Sequence, residues 1–361
     1  MKKILFVASY RKDRAPSQRF RFEQYLDYLS QNGFECHHSP LIASAEEDKA
    51  IFGGKNLLDK AVVGGKMLYR RFDNVLHRND YDIIFVSREA FKTGTDFFER
   101  RFRRSSAKLV YDFDDAIWIE AISKNNALFR WLKDGSKIAR IAGMADLVFA
   151  GNEYLADYAR KVNKNVVIVP TTIDTDSYKP PAKRPKNDVV IGWSGSVTTI
   201  QHFQHAIPAL KILKDRFKDR IRIKVIGDDK YRVAELGIQG LAWNLKTELE
   251  DLSDFDIGLM PLPDDKWSWG KCALKGLQYM ALEVATVMSP VGVNKEIIQD
   301  GTNGFLATSV DEWVEKISRL VEDETLRTSM GKNGRRTVID QYSFHSQKER
   351  YRDYFNGLLG G

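Results

Sequence analysis

The chain has 361 residues, 43% hydrophobic and 29% charged, which is longer than one typical domain and excludes a disordered or fibrous chain. No apolar run approaches the ~18 residues of a bilayer span, and Cys36 and Cys272 stand far apart with no CxxC partner, which argues against a disulfide framework or zinc site and for a reducing, cytoplasmic setting. Through Pro180 there are 30 Lys and Arg against 24 Asp and Glu, and afterwards 26 against 25, so nearly all of the net +7 lies in the first half and points to an anionic partner such as a membrane surface, phosphates or nucleic acid.

Short β-branched runs alternate with helical patterns from the first residues onward. KILFVAS opens the chain as a buried strand, because the charged YRKDR cuts it below the length of a signal-peptide core. FECHH, DIIFVS, KLVYDF, DLVFA and VVIVP follow. The stretch Tyr178–Asp188 carries three prolines and no apolar periodicity, and so marks a domain boundary. Beyond it come VVIGWSG, IRIKVIG, FDIGLM, VATVMS and GFLA. Runs that are apolar on both faces belong in parallel sheets covered by helices on both sides. The expected fold class is therefore α/β, with two Rossmann-like doubly wound domains facing a cleft. Residues 1–180 form the first and 181–342 the second. A final helix over 343–361 packs back on the first domain or caps the second.

In such sheets ligands gather beyond the carboxyl ends of the strands. The loop after the first strand, SYRKDRAPSQRFR, has no glycine and so does not form a dinucleotide-binding turn. Instead Arg19 and Arg21, with Arg11, Lys12 and Arg14, surround a helix start at Pro16 and Ser17, and suit a phosphate or an acceptor. After the third strand stands Arg88. After the fourth, Asp112, Asp114 and Asp115 crowd together, an arrangement that is costly unless a cation or ligand compensates it. One of the three should be structural. Asp114 and Asp115, with Arg88, are the candidates for acceptor positioning and catalysis.

In the second half the turn at Ser194, Gly195 and Ser196 is shaped to cradle an anion. The most distinctive segment is WSWGKCALKGLQYMA. Gly270 is expected to precede one helix in which Lys271 and Lys275 share a face. Lysines in a first turn oppose the helix dipole, a local misfit that an anionic ligand would resolve.

These segments together resemble the nucleotide-sugar glycosyltransferases of the two-Rossmann GT-B architecture, specifically glycosyltransferase family 4. The likeness is carried by ADLVFAGNEYLADYA with VVIVPTTIDTDSYKP, by GWSGS, and by GKCALKGLQYMA through SPVGVNKEIIQDGTNGFL. It implies retaining transfer of a sugar from a nucleotide diphosphate donor, with no tightly bound cofactor and no required divalent metal. It places the donor on the second domain and the acceptor on the first. Residue by residue, Gly195 and Ser196 match the diphosphate turn, and Gln278 matches the ribose-binding acid of the E-x7-E motif. Asn294, Glu296 and Gly304 match the loop beyond the sheet. The departures are Gly270 and Gln278 in place of both acids, Ser196 in place of an arginine, and no glycine loop or HxH in the first domain. Lys271, Lys275, Arg19 and Arg88 are the candidates to supply the missing charge. An alternative consistent with those departures is a catalytically silent sugar-nucleotide-binding or assembly protein.

Between Lys55 and Arg78, apolar residues spaced as on a helix are interspersed with Lys60, Lys66, Arg70 and Arg71, and FFERRFRR follows at Phe97–Arg104. Such surfaces suit anionic headgroups, and the competing reading is a core stripe with solvated arginines. The expected partners are a glycan or lipid-linked acceptor and an anionic membrane surface, at the inner face of the cell membrane. Nucleic acid is not expected, because no RNA-binding motif accompanies the charge.

Overall fold

A computed structural model describes residues 1–54, 56–119, 135–181 and 187–360. Lys55, residues 182–186 of the proline-rich stretch and Gly361 of the expected terminal helix lie outside the described residues. The chain divides into two compact units, Met1–Thr171 with Lys348–Gly361, and Thr172–Gln347. The division falls ahead of the proline-rich stretch.

The first unit is built on six strands, β1 (Lys2–Tyr10), β2 (Phe34–Ile42), β3 (Ile83–Ser87), β4 (Lys108–Phe113), β5 (Leu147–Ala150) and β6 (Val166–Ile168). All pair in parallel, in the order β2-β1-β3-β4-β5-β6. Ile4 to Ala8 and Ile83 to Val86 are buried throughout, as strands covered on both faces must be. The helix Phe344–Leu358 belongs to this unit from Lys348 onward. Its Tyr351 stacks on Tyr25 with centroids 4.1 Å apart, and Phe355 packs edge-on against Phe34 and Phe85.

The second unit carries five parallel strands, β7 (Val189–Ser194), β8 (Ile221–Ile226), β11 (Ile257–Met260), β12 (Ala285–Met288) and β13 (Phe305–Leu306), in the order β13-β12-β11-β7-β8. Between β8 and β11 a small antiparallel hairpin pairs β9 (Arg232–Val233) with β10 (Ile238–Gln239). Its two-residue strands are too short to leave a periodic signal, and the sequence reading missed them. Ile191, Trp193, Leu210, Val225, Leu259, Val287 and Ile317 are among the buried residues of one core. Each sheet reverses its strand order at one place, between β1 and β3 in the first unit and between β7 and β11 in the second. The loops after those four strands are where ligands of doubly wound folds gather.

The helix Leu57–Leu76 is capped by Asn56, whose side-chain oxygen accepts from the Asp59 amide at 2.9 Å. Its apolar stripe is not core. Val63, Arg71 and Asn74 face inward, while Leu57, Leu58, Val62, Tyr69, Phe72 and Leu76 are exposed.

Candidate active site

In the first unit the two arginines singled out after β1 have different fates. Pro16 opens a helix of four residues, Pro16–Arg19, with Ala15 rather than Ser17 at its cap. Arg19 is half-buried, its guanidinium 4.9 Å from the Phe20 ring. Arg21 is 1% exposed and already engaged, for it forms a buried ion pair with Asp112 and donates to the Val169 carbonyl. It is not presented to a phosphate. Asp112 is thus the structural member of the acidic trio, its pKa raised by burial although Arg21 works against the rise. Arg14 and Arg11 turn toward Asp48.

Arg88, Asp114 and Asp115 do come together. Arg88 donates to Asp114 Oδ1 through Nε at 2.7 Å, and its terminal nitrogen lies 2.6 Å from Asp114 and 4.0 Å from Asp115. Burial opposes its charge, yet Asp114 and Asp115 hold its pKa above the ordinary arginine value. Arg88 sits at φ +62°, a left-handed conformation costing on the order of 1 kcal/mol, with its amide bonded to the Asp112 carbonyl at 2.7 Å. Both carboxylates are partly exposed. A strained residue whose amide is tied to a neighbouring strand end, and which holds two carboxylates, is a pre-set polar site.

In the second unit the loops after β7 and β11 converge. The Ser194 amide donates to the Tyr279 hydroxyl at 2.8 Å, which fixes the turn from below. Gly195 is required, because a Cβ there would sit 2.2 Å from the Trp193 ring. The turn amides are committed, Gly195 to the Ile226 carbonyl and Ser196 to Thr199 Oγ1, both at 2.9 Å. The amides of Ser194, Gly195 and Ser196 thus hold the bend in shape.

The segment after β11 corrects the expected single helix. Asp265 caps a short helix, Lys266–Trp269, accepting from the Ser268 amide at 2.7 Å. The chain then passes through Ala273 at φ +55° and restarts as Leu274–Ala281. Lys271 thus lies in the connection rather than in a first turn, and its dipole misfit disappears. Its ammonium stands 3.7 Å over the Trp267 ring, and that of Lys275 stands 5.6 Å over Trp193. Trp267 in turn packs on His202, ring centroids 5.2 Å apart. Burial first, and then the charges of Lys275 and Lys271, push His202 down to about 4. The sequence reading missed His202, since nothing about a histidine one turn past the bend marks it.

The remaining candidates are placed as follows. Gln278 is buried and donates to the Tyr178 hydroxyl at 2.8 Å, which donates to Glu248 at 2.9 Å, where Trp243 Nε1 also donates. Asn294 is buried beyond β12, its amide donating to the Ser289 carbonyl at 2.9 Å, and its Oδ1 has no hydrogen-bond partner among the described residues. Glu296 is exposed. Among the described residues, Asp174, Asp176 and His345 bring three metal-ligating atoms within 4.8 Å, away from the β7 and β11 loops and mostly exposed. A hollow of about 980 Å³ opens at the opposite, amino-terminal ends of β7 and β11, where acids such as Asp251 and Asp254 pair with Lys224.

Comparison with known proteins adds the chemistry. The profile of the family described as Glycosyl transferases group 1 matches residues 188–323. The MMP alpha-(1->4)-mannosyltransferase of Mycolicibacterium hassiacum is 24% identical over 209 residues, 55% of this chain and 49% of that protein, so the chain spans about half of that relative's length. An uncharacterised glycosyltransferase of Methanocaldococcus jannaschii is 23% identical over 315 residues, 81% of this chain and 79% of that one. The structure of Anabaena HepE in complex with UDP-glucose superposes with a TM-score of 0.70 at 14% identity, covering 99% of this chain and 100% of that one. At that identity the likeness shows the fold, two parallel Rossmann-like sheets of the GT-B class.

Proposed function

We propose, from the premise that residues 188–323 are a group 1 glycosyl transferase domain and that the chain is a glycosyltransferase, that it moves a sugar from a nucleotide diphosphate donor to a cell-envelope polysaccharide or lipid-linked acceptor with retention. The observation that carries this reading is the positive spot made by Lys271 and Lys275 beside His202 and the Ser194–Ser196 bend. It lies at the place where the strand order of the second sheet reverses. In the reaction the bond from the sugar C1 to the diphosphate oxygen breaks and the acceptor oxygen bonds C1. The hydroxyl proton leaves on the departing diphosphate. Charge on that diphosphate grows as the bond stretches, so ammonium groups aimed at it stabilise the transition state more than the ground state. On this reading Lys271 and Lys275 meet the diphosphate, Gly195 and Ser196 shape the turn beneath it, and Gln278, Asn294 and Glu296 stand near nucleoside and sugar. Arg88 with Asp114 and Asp115 holds the acceptor hydroxyl on the first unit, and Arg19 meets an acceptor phosphate. No resident cofactor or divalent metal is assigned, so turnover should survive a chelator. The protein works in the cytoplasm, peripherally at an anionic inner membrane face, and engages no nucleic acid.

The experiment is a thermal-shift and calorimetric titration with a panel of nucleotide diphosphate sugars, on wild type and on Lys271→Ala. The expected result is stabilisation by one diphosphate sugar and a loss of about tenfold in affinity in the variant, the worth of one charge-assisted contact of ~1.4 kcal/mol. Stabilisation by none of the panel would overturn the reading. A second reading, a silent sugar-nucleotide binder, is favoured by the engagement of Gln278 with Tyr178 where the family carries an acid. Donor binding without transfer or hydrolysis would establish it.

A further inference from the structure

Helix Leu57–Leu76 is built inside out. At about 1.5 Å per residue it is roughly 30 Å long. One side of it is apolar and open, with Leu57 84%, Leu58 76%, Leu76 75% and Tyr69 73% exposed. The side that packs on the unit carries Arg71, which is fully buried. An extended exposed apolar face marks an interaction surface. The stripe continues onto the next helix, Phe97–Arg103, whose exposed Phe97 lies 6.0 Å from Phe72. Arg101 stands 5.0 Å over the Phe97 ring, and Arg104, Lys60 and Lys66 are exposed around the stripe. Apart from the Tyr69 hydroxyl, the exposed apolar side chains of the stripe offer no hydrogen-bonding group to set the register of a protein partner. A long apolar stripe with a cationic rim matches the headgroup boundary of an anionic bilayer, where apolar side chains enter the acyl edge and arginines meet phosphates.

We propose that this face of helix Leu57–Leu76, extended by Phe97 and rimmed by Arg101, Arg104 and Lys66, docks on an anionic lipid surface. The inner face gives docking a consequence for the site. Arg71 donates to the carbonyl of Ala8 in β1 and to that of Ala90, each at 2.6 Å, and Ala90 stands two residues past Arg88. A docked helix thereby fixes the strand ends that carry the acceptor-side residues. The inference deepens the acceptor side of the proposed function and rests on it only for that consequence, since lipid binding is measurable without turnover.

The test is co-sedimentation of the full chain with phosphatidylcholine vesicles, alone and with about one lipid in three replaced by phosphatidylglycerol. The comparison variant is Leu58→Glu/Tyr69→Glu/Leu76→Glu, at three positions exposed enough to leave folding intact, with unchanged melting as the control. Binding to anionic vesicles that falls about tenfold in the variant and weakens with salt is the expected result. Equal binding by the variant, or no binding by wild type, overturns the proposal. A wild-type dimer that the variant converts to monomer also overturns it and assigns the face to a second copy. Donor-induced thermal shifts, measured in parallel, separate the two claims. Vesicle binding without any donor shift would remove the glycosyl-transfer reading and leave this one standing.

Discussion

The strand-end loops of the two units handle positive charge in opposite ways. In the first, three arginines pair with carboxylates, Arg21 with Asp112, Arg88 with Asp114, and Arg14 with Asp48. In the second, Lys271 and Lys275 lie over indole rings, and their combined field reaches a buried histidine. Compensated charge builds a scaffold, because breaking a buried pair leaves an unpaired ion. Two lysines gathered over indoles beside a histidine whose protonation they oppose suit an anionic ligand. The contrast implies that substitutions at Arg21 and Arg14 act mainly on stability and those at Lys271 and Lys275 mainly on binding.

The largest expected effect tests the scaffold half. Arg21→Met leaves Asp112 ionised and buried without its partner, and should cost about 3–5 kcal/mol in denaturant unfolding. A loss below about 1 kcal/mol would mean that Asp112 takes up a proton at little cost, and the comparison would fail on that side. Next comes pH. His202 has an unfolded value of 6.5 and is held at about 4 when folded, so the unfolded chain binds the extra proton between those values. The stabilisation from the neutral histidine is complete above pH 6.5 and is lost as pH falls toward about 4, a change on the order of 3 kcal/mol. His38, also lowered to about 4, adds to the same acid limb. His202→Gln should therefore flatten part of the stability profile between pH 6.5 and 4. A bound diphosphate beside Lys275 and Lys271 should raise the His202 value, so donor binding near pH 5 takes up protons, seen as buffer-dependent heats.

A smaller effect probes Gln278, the position that the resemblance aligns with an acid. Gln278→Glu would match that resemblance, but Gln278 donates to Tyr178, whose one proton already goes to Glu248. A carboxylate there faces an oxygen with no proton to give, at a buried position, and should lower stability by about 1–3 kcal/mol without improving donor affinity. Improved affinity would show that this network rearranges around the ligand.

Much of the fold was legible because burial on both faces leaves the same short β-branched run wherever a parallel strand occurs. KLVYDF matches β4 residue for residue, and VVIGWSG runs past β7 only by its final glycine. The helix around Lys271 was misread because Ala273 breaks it through a left-handed conformation that alanine does not advertise. The cationic site was half legible. Two lysines near a tryptophan-rich turn could be seen, whereas His202 and Tyr279 reach it only through tertiary packing. Arg21 reads in sequence like its neighbour Arg19, and only its proximity to Asp112, 91 residues away, makes it structural. The outward face of Leu57–Leu76 was ambiguous for a simple reason, since periodicity gives the stripe and not the side that packs.

The smallest expected effect compares two helices by their glycines. Gly276, in Leu274–Ala281, is fixed by packing, because a Cβ there would lie 1.9 Å from the Met288 methyl group. Gly64 and Gly65, in the middle of Leu57–Leu76, would meet nothing within 4 Å. Each costs about 0.5–1 kcal/mol relative to alanine in a helix interior, with no contact in this structure to offset it. Gly64→Ala/Gly65→Ala should therefore raise stability by about 1–2 kcal/mol if that helix unfolds with the rest of its unit. Melting left unchanged, with slower amide exchange confined to residues 57–76, would show instead that the helix opens on its own. It would then be held down by a few polar ties, the inward bonds of Arg71 and those of Arg70 to Glu47 and the Leu41 carbonyl, and the link from its outer face to the strand ends would rest on those contacts.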